Sequence, residues 1–295
     1  MQTFAPPHHR STSRLGLLRR FARCGVALAL STGAIAAQGE TGFLRGQGNL
    51  DVVLSYNLDT YDEFWMGREK VSPAGVGEVD RTTYNLYAAY GLNDDVDLIL
   101  SGSYVESESD GTAGAPDERD FQDLVVAAKW RLLRRQYGWG EASFLVLPGV
   151  KVPLTDYEDN AITAIGDGNV DWRLRVVGHA QTHQGFFASL ETGYDFRVGD
   201  PPNEFPLHLQ VGGTIADRVT IAPFISRINA QGGTDISDVP MPAFPTNEEE
   251  YSRAGINAYV RINDHFGLTG NYRTTFDGRN TGDVEGFSLG LVFRR

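Results

Sequence analysis

The chain has 295 residues, 26 Lys and Arg against 38 Asp and Glu, a formal net charge of −12, and one cysteine. Nucleic-acid binding needs a basic face that displaces phosphate counterions, so this acid excess excludes it. A lone thiol excludes internal disulfides and cysteine-cluster metal sites.

Arg14, Arg19, Arg20 and Arg23 precede an apolar run at 25–30, and Ala34-Ile35-Ala36 supplies small residues at cleavage spacing. This is the pattern of a signal peptide over 1–36, leaving 37–295 as one outer-membrane barrel domain. The apolar stretch is about ten to twelve residues, too short to cross a bilayer as a helix. Cys24 lies before that run, so the mature chain is expected to lack thiols, as suits an oxidising compartment. The leader also carries five arginines and no acid, which leaves 21 basic against 38 acidic residues and a mature charge near −17.

A period of two then runs through almost the whole mature chain, most clearly over 170–180, where polar Asp171, Arg173 and Arg175 alternate with apolar Trp172, Leu174 and Val176. Alternation over about ten residues is the length of a tilted membrane-crossing strand, longer than the five or six usual in soluble sheets. On that basis strands are predicted at 48–58, 81–92, 96–106, 120–132, 141–153, 169–181, 185–197, 205–216, 218–229, 250–262, 265–277 and 284–294. The expected fold is all-β: a single antiparallel transmembrane barrel of about twelve strands, with short periplasmic turns and long outer loops. The connection 133–140 fits least well, being long for a turn.

The alternation sorts side chains into an apolar set, expected to face lipid, and a charged set, expected to face a narrow lumen. Residues proposed to line a solute path are Lys129, Arg131, Lys151, Arg173, Arg175, Glu191, Arg197, Arg253 and Arg273. Among them Arg173, Arg175, Lys129 and Arg131 form the leading group, on the expectation that neighbouring strands bring them together. The competing reading is an internal ion-pair network that leaves no pore. Phe187 and Phe224 are also expected to point inward.

Acidic clusters at 106–110, 156–159 and 248–250 fall in predicted outer loops, where they either solvate the surface or bridge through cations to lipopolysaccharide. His179 and His208 point inward without a serine and acid at matching height, so no catalytic relay, metal site or cofactor is expected. Gly166-Asp167-Gly168 lacks the lysine and helix of a phosphate loop.

Three blocks, 121–132, 147–156 and 166–171, including Lys151-Val152-Pro153, resemble the MetA-pathway phenol-degradation family of outer-membrane proteins. The resemblance implies an outer-membrane transporter with a suggested role in passage of hydrophobic or aromatic compounds. One departure is the terminus, Phe293-Arg294-Arg295, since outer-membrane chains commonly end in an aromatic residue read by the assembly machinery. Expected partners are therefore outer-membrane lipid and lipopolysaccharide, a small-molecule solute and the barrel-assembly machinery. Three functions remain open: a passive channel, a closed structural or surface-interaction barrel acting through its acidic loops, and, with the least support, an outer-membrane hydrolase.

Overall fold

Segments that alternate apolar and polar for ten or more residues can satisfy every backbone group in a membrane only by closing on themselves. The computed structural model describes residues 39–72, 75–112, 116–238 and 242–295; the proposed leader and Cys24 lie outside these. In chain order the strands are β1 (Leu50–Tyr61), β2 (Phe64–Met66), β3 (Glu69–Val71), β4 (Val79–Asn93), β5 (Val96–Ser109), β6 (Glu118–Tyr137), β7 (Gly140–Pro153), β8 (Asp171–Thr182), β9 (Phe186–Arg197), β10 (Glu204–Ile215), β11 (Val219–Ala230), β12 (Glu250–Arg261), β13 (Phe266–Arg279), β14 (Thr281–Gly282) and β15 (Glu285–Arg294). Twelve of them form a closed antiparallel barrel in the order β1-β15-β13-β12-β11-β10-β9-β8-β7-β6-β5-β4. The short β14, β2 and β3 form a separate three-stranded sheet among the long loops.

The barrel closes where β1 meets β15, in register from Asp51↔Arg294 to Thr60↔Glu285. The C-terminal residues take part: the Leu50 N–H donates to the Arg295 carbonyl at 2.8 Å, and Arg294 turns inward over the Tyr259 ring. Phe293 stays outside against Phe266, with ring centroids 5.6 Å apart.

One connection differs from the prediction. The segment 133–140 is strand on both sides of a tight turn at Gly138-Trp139, and a register shift between Arg131 and Leu133 interrupts its alternation. The bulge shifts the inside–outside phase, so the sequence there loses its period and reads as a loop. At the three-residue turn after β10, Ala216 and Asp217 both have φ near +51°, and the Arg218 N–H closes the turn on the Ile215 carbonyl at 3.0 Å.

Leu54, Leu86, Trp172, Leu174, Leu289 and Leu291 are exposed on the outside, forming the apolar band that a bilayer would cover. The interior has two zones. Toward the short-turn end, Val53, Ala89, Ile99, Phe187, Ala222, Tyr259 and Val292 make an apolar collar. Toward the long-loop end, the wall carries charges.

Candidate functional site: a plugged lumen and its outer vestibule

Residues 39–49 precede the first strand and run inside the barrel. The Phe43 ring packs edge-on against Phe187 and His179, at centroid separations of 5.1 and 4.6 Å, within the apolar collar. Leu44 fills a second apolar cluster with Leu145, Leu147 and Val177. Together they seat the segment as a stopper in the half of the lumen nearer the short turns.

Polar contacts hold the segment's two ends. Glu40 accepts from Lys129 Nζ at 2.9 Å and from the Tyr87 hydroxyl at 3.1 Å, and its own N–H donates to Glu191. Arg45 pairs with Asp51 at 2.8 Å, and its N–H donates to Asp97 at 3.0 Å. Burial opposes ionisation of Glu40, but Lys129, Arg45 and the Tyr87 hydroxyl outweigh it and hold the carboxyl below the usual carboxylate range. A lowered value means that the contact contributes fully above the ordinary carboxylate pKa and is lost only as pH falls through the lowered one. Mild acid therefore leaves this one contact in place.

Glycine makes the threading feasible. A Cβ on Gly42 would fall 2.1 Å from the Cβ of His179, so only a bare backbone passes that point. Gly46 and Gly48, with φ of +78° and +79°, turn the chain out of the lumen and into β1.

Above the stopper lies a vestibule of about 640 Å³, open toward the long loops. An apolar cluster of Tyr61, Val76, Val79 and Val284, with Phe64 and Ile162 against it, covers part of its mouth. The floor and walls are ionic. Arg175 donates to Asp195 Oδ1 and to Glu191 Oε1, both at 2.9 Å. Lys151 meets Asp167 and Asp171, each at 2.7 Å. Arg197 binds Glu204 at 2.6 Å and also reaches Asp167, and Arg273 is spent on Asp59. Asp167 belongs to the loop after β7, so Lys151 and Arg197 pin that loop to the wall. Tyr157, from the same loop, donates to Asp123 at 2.7 Å.

The structure separates the nine charged residues singled out from sequence. Lys151, Arg173, Arg175, Glu191, Arg197 and Arg253 line the vestibule. Lys129 and Arg273 lie behind it, each about 1% exposed and engaged by a carboxylate. Arg131 does not join them: it bonds Asp95 at 2.7 Å in a short turn, at the opposite end of the barrel from Arg173. The expected cluster of Lys129, Arg131, Arg173 and Arg175 is therefore corrected. β7 stands between β6 and β8, and Lys129 connects to Arg175 through carboxyl-bearing residues, Glu40 and Glu191, so Arg131 is the member that leaves the group.

Several important residues escaped the sequence reading. Glu40, Phe43 and Arg45 precede the first strand and carry no period. Arg81, which also lines the vestibule, is the third residue of β4 and the first of the predicted strand 81–92, at whose edge its inward direction was not assigned. The inward histidines serve packing: His179 shares a 2.7 Å hydrogen bond with Ser189, and His208 stacks on Phe224 at 5.3 Å. The acidic loop cluster is also partly tied, since Glu248 pairs with Arg279, Glu250 with Arg68, and Glu249 accepts from Thr281.

The barrel is similar to the COG4313 outer membrane channel from Pseudomonas putida F1, with a TM-score of 0.68 and 15% identity over 84% of this chain and 96% of that one. It is also similar to the translocator domain of the autotransporter NalP from Neisseria meningitidis, with a TM-score of 0.50 and 13% identity over 85% and 89% of the two chains. The KdgM porin aligns with a TM-score of 0.46 and 9% identity, over 82% and 98%. At such identities the first two likenesses establish the fold alone, a barrel of the outer-membrane type. No curated protein matches the chain in sequence. The family described as "Putative MetA-pathway of phenol degradation" matches residues 46–291.

Proposed function

The chain belongs to the MetA-pathway phenol-degradation family, and from that membership together with the lumen geometry we propose that it is a passive outer-membrane channel for small molecules, hydrophobic or aromatic compounds among them. The observation that carries this reading is the way the lumen is closed. The stopper is an eleven-residue segment at 39–49 seated among side chains; none of it is strand, and it meets the wall's backbone at its end, where Gly48 and Asn49 bond Gly91 of β4. A barrel meant only as a scaffold can fill its interior with wall side chains, as eight-strand barrels do. This one keeps a polar vestibule open to the outside and closes the other half with a segment that can leave.

No energy-coupling domain occurs among the described residues, so flux would follow the solute gradient. The alternative, a closed barrel that binds partners through acidic loops, draws less support, because the 248–250 acids are engaged by neighbouring loop residues. The test is planar-bilayer recording of the refolded mature protein under both signs of applied voltage. Rare, discrete conductance steps are expected, as the segment leaves and returns. A barrel that shows its folded mobility on gels yet gives no steps at any voltage would remove the channel reading.

A further inference from the structure

Nine cations serve the vestibule: Arg81, Lys151, Arg173, Arg175, Arg197, Arg227 and Arg253 line it, and Lys129 and Arg273 bind the lining residues Glu40 and Asp59. Five of them are consumed by carboxylates at short range, namely Lys129, Lys151, Arg175, Arg197 and Arg273. Arg227 is exposed and gives its Nε–H to the Asn229 side chain at 2.6 Å. The other three differ. Arg253 is 9% exposed, lies 3.9 Å over the Tyr251 ring and donates from Nε to Thr275 at 3.1 Å; no carboxylate among the described residues pairs with it. Arg81 donates only to the carbonyl of Ala164, at 2.7 Å, and likewise has no carboxylate partner among them. Arg173 reaches Asp195 only at 3.6 Å, too long for a good hydrogen bond.

These three sit on β4, β8 and β12, which are four strands apart around the ring, and each is the third or fourth residue from its strand's outer end. They therefore face the same vestibule from three sides. The Tyr61 hydroxyl lies within electrostatic range of both Arg81 and Arg253. Around them the surface is apolar and aromatic, with Tyr61, Phe64, Trp65, Ile162, Phe244 and Val284 lining the same cavity.

The geometry points to an anion subsite in this vestibule for an aromatic or apolar monocarboxylate, held by Arg81 and Arg253 with Arg173 opposite. A planar carboxylate matches the guanidinium fork, and the apolar cap takes the hydrocarbon body. The preference for one negative charge follows from the remaining balance. Ten carboxylates line the vestibule against the nine cations above, so a second anionic group would meet net repulsion. A neutral aromatic would leave the guanidinium donors unmatched, and acetate would leave the apolar cap empty. This subsite names the solute class of the proposed channel and so rests on that reading.

Isothermal titration of the full mature protein in detergent micelles, corrected for micelles alone, tests it without requiring conduction. Benzoate is expected to bind, with benzyl alcohol, phthalate and acetate each weaker by about tenfold or more, and the Arg81→Gln/Arg253→Gln double variant losing benzoate by a similar factor. The ligand comparison uses wild-type protein alone, so it holds even where the variant folds poorly. Equal binding of benzoate and benzyl alcohol, or an unchanged affinity in a folded double variant, overturns the subsite. Conductance of the same preparation separates the two claims: steps without selective benzoate binding sink the subsite alone, and selective binding to a silent barrel sinks the channel alone.

Discussion

A mature chain shortened to begin at Asn49 is expected to conduct about a hundredfold more, on time average, than the full mature chain. The full chain's segment is held by the buried pair of Arg45 with Asp51, by the half-buried contact of Glu40 with Lys129, by the Arg45 N–H on Asp97, and by Phe43 in the collar. Breaking a buried ion pair by displacing one partner costs about 3–5 kcal/mol. Taking the lower end, about 3 kcal/mol, the displaced state is populated below about one per cent. The shortened chain is permanently in that state. Its ladder should survive, because the hydrogen-bonded pairs from β1 to β4 and from β1 to β15 begin at Leu50 and Asp51. Bilayer recording and a folded-mobility gel on the same sample check both halves. Equal conductance of the two chains would show that the segment does not close the path.

The second large effect concerns stability. Arg175→Ala should destabilise the barrel by about 3–5 kcal/mol, because it strands two carboxylates, Glu191 and Asp195, that are each 4% exposed. Arg173 lies too far from Asp195 to take over. Glu191 also anchors the Glu40 N–H, so loss of Arg175 disturbs the seat of the stopper as well as the wall. Arg131→Ala provides the contrast. Its partner Asp95 is more than half exposed, and such a pair is worth under about 1 kcal/mol. Denaturant titration in lipid vesicles measures both; a cost for Arg175→Ala no larger than for Arg131→Ala would contradict the buried-network account.

The barrel itself was legible because a strand with lipid on one side and water on the other has to alternate, and all twelve barrel strands do so over most of their length. Legibility failed where that constraint lapses. At Val52-Val53-Leu54, Leu145-Val146-Leu147 and Val176-Val177 both faces are apolar, since the inward residues pack against Phe43, Leu44 or the collar instead of facing water. Those runs were the available sign of a dry zone in the lumen, and hence of something filling it. The vestibule charges were visible as inward residues, but their pairing was not. Arg173 and Arg175 look equivalent on one strand, yet Arg175 is consumed by two carboxylates and Arg173 is left nearly open. Which carboxylate reaches which guanidinium depends on strand tilt and on Asp167 arriving from a loop, neither of which has a period to read.

The most direct test of the closure is a reversible lock on the segment. The mature chain is expected to carry no cysteine, and Leu44 of the segment shares a buried cluster with Val177 of the wall. A Leu44→Cys/Val177→Cys variant places two thiols in that cluster, to be joined at the disulfide separation of roughly 3.8 Å between Cβ atoms. Single-channel recording before and after reduction then reads the gate alone. The account predicts silence in the oxidised protein and restored steps after reduction, whereas oxidised protein that conducts as freely as reduced protein would contradict it.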